Sequence, residues 1–166
     1  MKGALFVAIV AVLTAVTMVV TMAFQFYVPQ TKGYINFGDT IVIFSGLLLG
    51  GHPGFLVGGI GSALADILSG YGNWAPFTLV IKGIEGFTVG FFSKKSKKLL
   101  YLGAVLGGVE MVLGYFIVEY FLYGLGAALA ELPGNIMQAG IGIFVGVGLY
   151  KIVIRTIGEK VKLFKS

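Results

Sequence analysis

Residues 74–98 read WAPFTLVIKGIEGFTVGFFSKKSKK, and their pattern decides the fold. Residues 74–92 are apolar or small except for Lys82 and Glu85, and four lysines then crowd into residues 94–98. A helix needs about 20 such residues to cross the hydrocarbon of a bilayer. Lys and Arg gather on the cytoplasmic side of membrane spans. The stretch therefore reads as a span that ends at a cytoplasmic basic loop.

Working outward, residues 99–123 form a second apolar run, broken only by Glu110 and Glu119. Residues 132–154 form another, with Pro133 where a helix start tolerates it. Residues 3–24 form one more, too long for a signal-peptide core and without a small-residue cleavage site. Residues 40–68 are apolar but interrupted by Gly50-Gly51-His52-Pro53-Gly54, which divides them into short spans at 40–51 and 55–68. The expectation is an all-α integral membrane bundle of six transmembrane helices, one domain over residues 1–166. A re-entrant hairpin at 40–68 leaves four spans and the same parity for every later loop.

The basic residues orient this bundle. Lys2, the lysines at 94, 95, 97 and 98, and Lys151, Arg155, Lys160, Lys162 and Lys165 all fall on one side if the spans alternate. Only Lys32 falls opposite, and Lys82 lies within a span. Both termini are then cytoplasmic.

Composition agrees. Hydrophobic types make up 57% of the 166 residues and charged types 11%, against about 25% charged in soluble domains. The mean hydropathy is +0.97. A water-soluble enzyme is excluded on that balance, because too much apolar surface would face water. With no cysteine and a single histidine, His52, disulfides and Cys- or His-rich metal sites are excluded too. His52 reads as an ordinary inner-loop residue. No basic groove with interleaved aromatics exists outside the spans, so nucleic acid is not an expected partner. The 27 glycines suit close helix packing in lipid.

Charges inside a bilayer cost about 2.5–3.5 kcal/mol each and usually face a bundle interior or wet cavity. Lys82 is eight residues into its span, so ~12 Å deep at 1.5 Å per residue. Glu85 follows at i+3 on the same face. Asp66 and Glu119 lie near the outer ends of their spans, with Tyr115 at i−4 from Glu119. Asn135 and Gln138 occupy the first turns of the last span, and Tyr34, Asn36, Tyr71, Asn73 and Trp74 sit in or beside the outer loops. These twelve residues form the candidate ligand site: polar groups crowd the outer half while the inner half stays apolar. Each has a plainer reading. Lys82 and Glu85 also make sense as a self-neutralising pair. Asn135 and Gln138 also make sense as helix–helix hydrogen bonds, and the aromatics as an interface belt. Asp39 reads as a helix N-cap, and Glu110, on another face from Glu119, as a helix-contact residue.

The first span carries a different pattern. Ala4, Ala8, Ala11 and Ala15 form a narrow, flat stripe at spacings of four, three and four. Such stripes dock helices closely, either within the bundle or against a partner subunit.

The runs INFGDTIVIFSGLLLG (35–50), GGIGSALADILSGYGNWAPFTLVIKGIEG (58–86), GYFIVEYFLYG (114–124) and LPGNIMQ (132–138) resemble the substrate-binding S components of energy-coupling factor vitamin transporters. The likeness is nearest the riboflavin, hydroxymethylpyrimidine and pyridoxine carriers. It implies a prokaryotic multi-pass cell-membrane protein that binds a vitamin or precursor near the extracellular face, beneath a first-outer-loop lid at residues 28–38. It implies that Ala4, Ala8, Ala11 and Ala15 contact a transmembrane coupling subunit driven by two cytoplasmic ATPases. The chain itself lacks the phosphate-binding G-x-x-x-x-G-K-[ST] motif, and no cofactor is expected.

Asp66, Glu85 and Glu119 outnumber the one base, Lys82, which disfavours a polyanionic ligand. The set suits a small heteroaromatic ring with a protonatable nitrogen, either hydroxymethylpyrimidine or vitamin B6, with riboflavin next. The rival expectation is a stand-alone ion-coupled secondary transporter using Glu85, Lys82 and Glu110 as a proton relay.

Overall fold

A computed structural model describes residues 3–162. Lys2 and Lys165 lie outside the described residues. The elements in order are α1 (Gly3–Ala23), β1 (Gln25–Val28), β2 (Gly33–Asn36), α2 (Asp39–Leu49), α3 (Gly51–Leu68), α4 (Ala75–Ser93), α5 (Lys97–Tyr123) and α6 (Leu125–Lys162). Four of the six helices, α1, α4, α5 and α6, are long and apolar enough to cross a membrane. Helix α2 has only 11 residues.

The apolar and polar sides are inverted relative to a soluble protein. Phe144 is 83% and Phe121 78% exposed, while Lys82 is 1% exposed and Glu85 and Glu119 are fully buried. Water would penalise that exterior, whereas lipid accommodates it.

Small residues allow the helices to approach so closely. A Cβ placed on Gly46 of α2 would sit 2.7 Å from the Gly86 carbonyl of α4, and one on Gly59 of α3 would sit 2.6 Å from the Leu79 carbonyl. These neighbours are backbone and cannot move aside, so α2, α3 and α4 cross at distances only glycine permits. Helix α1 is peripheral. It rests on α3 where Gly61 faces the Thr14 carbonyl, and it buries only Thr17 and Thr21.

The two ends of the bundle differ. At one end the α4–α5 turn brings Lys94 against Gly50, and Lys151 of α6 lies 5.1 Å from the Tyr101 ring of α5. The core beneath is dry, made of Ile43, Leu47, Val89, Leu100, Ala104 and Val147. At the other end an antiparallel hairpin, β1 with β2, covers the bundle.

Three sequence expectations need correction. Residues 51–54 do not form a loop. Gly50, at φ +96°, is the whole break, and His52 and Pro53 already belong to the first turn of α3. The last helix begins at Leu125, not at residue 132, so Pro133 is inside it and residues 125–131 are helical. A proline removes one backbone donor, and in lipid-buried bundles neighbouring groups and local adjustment absorb that loss. Finally, the first outer segment is a β-hairpin from residue 25 to residue 36, adding a small strand element to a helical bundle.

Candidate functional site

A cavity lies under the hairpin, lined by Thr21 (α1), Gly33, Tyr34 and Asn36 (β2), Ser62 and Asp66 (α3), Trp74, Thr78 and Lys82 (the start and body of α4), Tyr115 (α5) and Glu131 (α6). Five of the six helices, all but α2, and the second hairpin strand contribute to its walls. The space is about 350 Å3 including its open mouth, and its inner room holds only a water or two.

The floor is a buried charge cluster. Lys82 Nζ forms an ion pair with Asp39 and lies 3.4 Å from Glu85 Oε2. Asp39 and Glu85 are fully buried. Lys82 and Glu85 are therefore paired, as one reading of their spacing held, but Asp39 is Lys82's nearer partner. Asp39 is not an N-cap. That position is taken by Gly38, with no side-chain capping bond, and the Asp39 carboxylate turns inward instead. Gln138 Nε2 donates to Asp39 Oδ2 at 3.0 Å, and Gln138 Oε1 accepts from the Asn36 backbone N–H at 2.7 Å.

One wall is aromatic. Trp74 lies 6.0 Å from Tyr115 and 6.0 Å from Tyr123, and Lys82 Nζ stands 5.5 Å from the Tyr115 ring. The Tyr115 hydroxyl donates to Thr78 Oγ1 at 3.2 Å. It does not reach Glu119, which instead accepts from Asn135 Nδ2 at 3.3 Å. Sharing a helix face at i−4 brought those two side chains near one another but not into contact.

The hairpin forms the lid of this space. The Tyr34 hydroxyl donates to Asp66, and the Tyr34 ring packs on Tyr71 at 4.6 Å. Burial, then the neighbouring Asp66 carboxylate, pushes the Tyr34 hydroxyl well above its ordinary pKa, so it stays a donor. Thr31, in the hairpin turn, is fully buried, and its hydroxyl donates to the Val28 carbonyl at 3.3 Å and accepts from the Gly33 N–H at 3.3 Å. Gln25 Nε2 donates to Ser69 at 3.0 Å.

Of the twelve candidate residues, Tyr34, Asn36, Asp66, Trp74, Lys82 and Tyr115 line the cavity directly. Glu85 and Gln138 support it from below. Glu119 and Asn135 form a second cluster behind Glu131. Tyr71 buttresses Tyr34 from outside the lining, and Asn73 is exposed and does not line the space. Sequence reasoning missed Asp39, Thr21, Ser62, Thr78 and Glu131 as site residues. Thr21 and Ser62 carried a weak signal, as polar groups near the outer ends of apolar helices.

Five buried polar atoms around the cavity have no hydrogen-bond partner among the described residues: Thr21 Oγ1, Ser62 Oγ, Asp66 Oδ2, Trp74 Nε1 and Glu131 Oε2. Burying such groups unsatisfied costs roughly 1–3 kcal/mol each. Two are carboxylate acceptors, two are hydroxyls, and one is an indole donor.

The alanine stripe is on the outside. Ala4, Ala8, Ala11 and Ala15 are all exposed, on the helix least engaged with the bundle.

Comparison with known proteins agrees with this architecture. Residues 4–155 match the family model of the ECF-type riboflavin transporter, S component. The chain is 50% identical over 142 residues to an uncharacterised protein of Pyrococcus woesei, covering 84% of this chain and 95% of that one. It is 32% identical over 149 residues to the thiamine precursor transporter HmpT of Lactococcus lactis, covering 89% of this chain and 87% of that transporter. The chain belongs to the S-component family of ECF-type vitamin transporters. It is a multi-pass membrane protein of prokaryotic type that serves vitamin transport, and not an enzyme.

Proposed function

We propose that this S component captures a small nitrogen heteroaromatic of the hydroxymethylpyrimidine or vitamin B6 type from the extracellular side, as the substrate-binding subunit of an ECF-type ABC importer. The observation that carries this reading is the set of five unpartnered polar atoms converging on one aromatic-walled cavity. A ring nitrogen or exocyclic amine would donate to Asp66 or Glu131, a hydroxymethyl arm would meet Thr21 or Ser62, and Trp74 Nε1 would donate to a ring acceptor. Trp74 and Tyr115 would supply the stacking surface.

The inner room beneath the closed hairpin holds no more than a water or two, so a single ring asks for less opening of the lid than the fused rings and long side chain of riboflavin. The relative in Lactococcus lactis named a thiamine precursor transporter is consistent with this choice. The narrow inner space means that the hairpin lifts to admit ligand and closes over it. Its tethers, Tyr34 to Asp66 and the Asn36 backbone to Gln138, would break and re-form.

In this reading all six helices sit in the membrane and both termini are cytoplasmic. The cavity faces out, and the end carrying Lys94, Lys95, Lys98, Lys151 and Arg155 faces in. The transmembrane coupling subunit docks on the exposed stripe of Ala4, Ala8, Ala11 and Ala15, driven by two cytoplasmic ATPases. Native mass spectrometry of protein purified from cells tests the ligand class. A bound mass matching a pyrimidine or pyridine vitamin precursor supports it, and a bound flavin refutes it. Affinity purification from the native membrane should also recover a coupling subunit and ATPases, and their absence would favour a carrier working alone.

A further inference from the structure

Six of the seven acidic residues lie in the bundle, Asp39, Asp66, Glu85, Glu110, Glu119 and Glu131, against one buried base, Lys82. Lys82 is already committed to Asp39 and Glu85. Asp66, Glu119 and Glu131 are therefore buried without a basic partner among the described residues. Glu119 of α5 and Glu131 of α6 are also near neighbours. Two carboxyl groups side by side away from water favour a cationic or donor group beside them. Each keeps one carboxyl oxygen with no partner, although Glu119 is fully buried and Glu131 only 4% exposed. Of the two, only Glu131 lines the cavity.

We infer that Glu131 is the specificity-determining residue for an amino or cationic nitrogen on the ligand, and that Glu119 is its positioning residue. This rests on the ligand class proposed above, and assigns within it which carboxylate reads the nitrogen substituent. Glu119 accepts from Asn135 Nδ2 at 3.3 Å, so a second, anchored acid stands behind the Glu131 carboxylate. The hairpin turn lies on the same side of Glu131, with Thr31 near it, so the residue that reads the ligand sits beside the lid.

The test uses the full-length protein in detergent or nanodiscs, with two probes: 4-amino-5-hydroxymethyl-2-methylpyrimidine and its analogue with hydrogen in place of the amino group. Wild-type protein should prefer the amino probe. Glu131→Gln should weaken the amino probe on the order of 10- to 100-fold, the range for losing a charged hydrogen bond. It should change the deamino probe by less than about threefold, a difference that a merely structural role would not produce. Equal loss for both probes, or no loss for either, overturns the assignment. Glu119→Gln should lower the same selectivity by a smaller factor, and it decides the matter if Glu131→Gln does not fold; unchanged selectivity there also overturns it. Failure of wild-type protein to bind either probe is a separate result, which overturns the ligand class and this assignment with it.

Discussion

Gln138 of α6 joins the lid to the floor of the cavity through Asn36: its Oε1 accepts the Asn36 backbone N–H at 2.7 Å while its Nε2 donates to Asp39 at 3.0 Å. One amide thus spans the hairpin and the Lys82 charge cluster. Gln138→Leu removes both bonds at a site 2% exposed and leaves the Asn36 N–H unsatisfied. A loss of about 1–3 kcal/mol is expected, read as a lower unfolding midpoint, together with faster exchange of the β2 amide hydrogens. An unchanged exchange rate at Asn36 would show that the lid does not depend on this bridge.

The Asp39–Lys82–Glu85 cluster should behave as a unit. Lys82→Ala leaves two buried carboxylates without their cation, and removing one partner of a buried pair costs roughly 3–5 kcal/mol. The double variant Lys82→Ala/Asp39→Asn should recover part of that loss. Thermal unfolding of the single and double variants measures it. Strict additivity would mean that the pair, although adjacent, is not energetically coupled.

Tyr34→Phe removes the hydroxyl donated to Asp66 and keeps the ring packed on Tyr71. If the hairpin retains ligand, the variant should release it about tenfold faster or more, matching a charged hydrogen bond of roughly 1.5–3 kcal/mol. Stopped-flow dissociation is the readout. An unchanged rate would place the gate elsewhere.

Ala8→Leu fills the exposed flat face of α1 without touching the cavity. Ligand affinity of the isolated subunit should stay at the wild-type value, while uptake by cells carrying the complete transporter falls. Parallel loss of both would refute a division between capture and docking.

Much of this was legible in the sequence, because hydropathy and the placement of lysines are one-dimensional signals. Residues 74–92 predicted α4 (Ala75–Ser93) to within one residue, and Lys82 with Glu85 were expected inside it. The errors arose where partners are distant in sequence. Asp39 stands at the start of a helix, where local rules favour a cap, and only folding brings it to Lys82, 43 residues on. Starting the last span at residue 132 leaves Glu131 just outside it. The helix in fact runs through Gly126 and Pro133, since Gly124 alone, at φ +86°, separates α5 from α6. The two-residue alternation of the hairpin is masked because each strand has only four residues and Pro29 opens the turn between them.

The central claim is that the unpartnered polar atoms around the cavity await a small nitrogen heteroaromatic, with Asp66 among the groups that receive it. Isothermal titration of purified protein with hydroxymethylpyrimidine tests this most directly, repeated with Asp66→Asn. The account predicts saturable one-to-one binding by wild-type protein and at least tenfold weaker binding by the variant, about 1.4 kcal/mol. No heat with hydroxymethylpyrimidine, pyridoxine or riboflavin, or equal affinity in the variant, would contradict it.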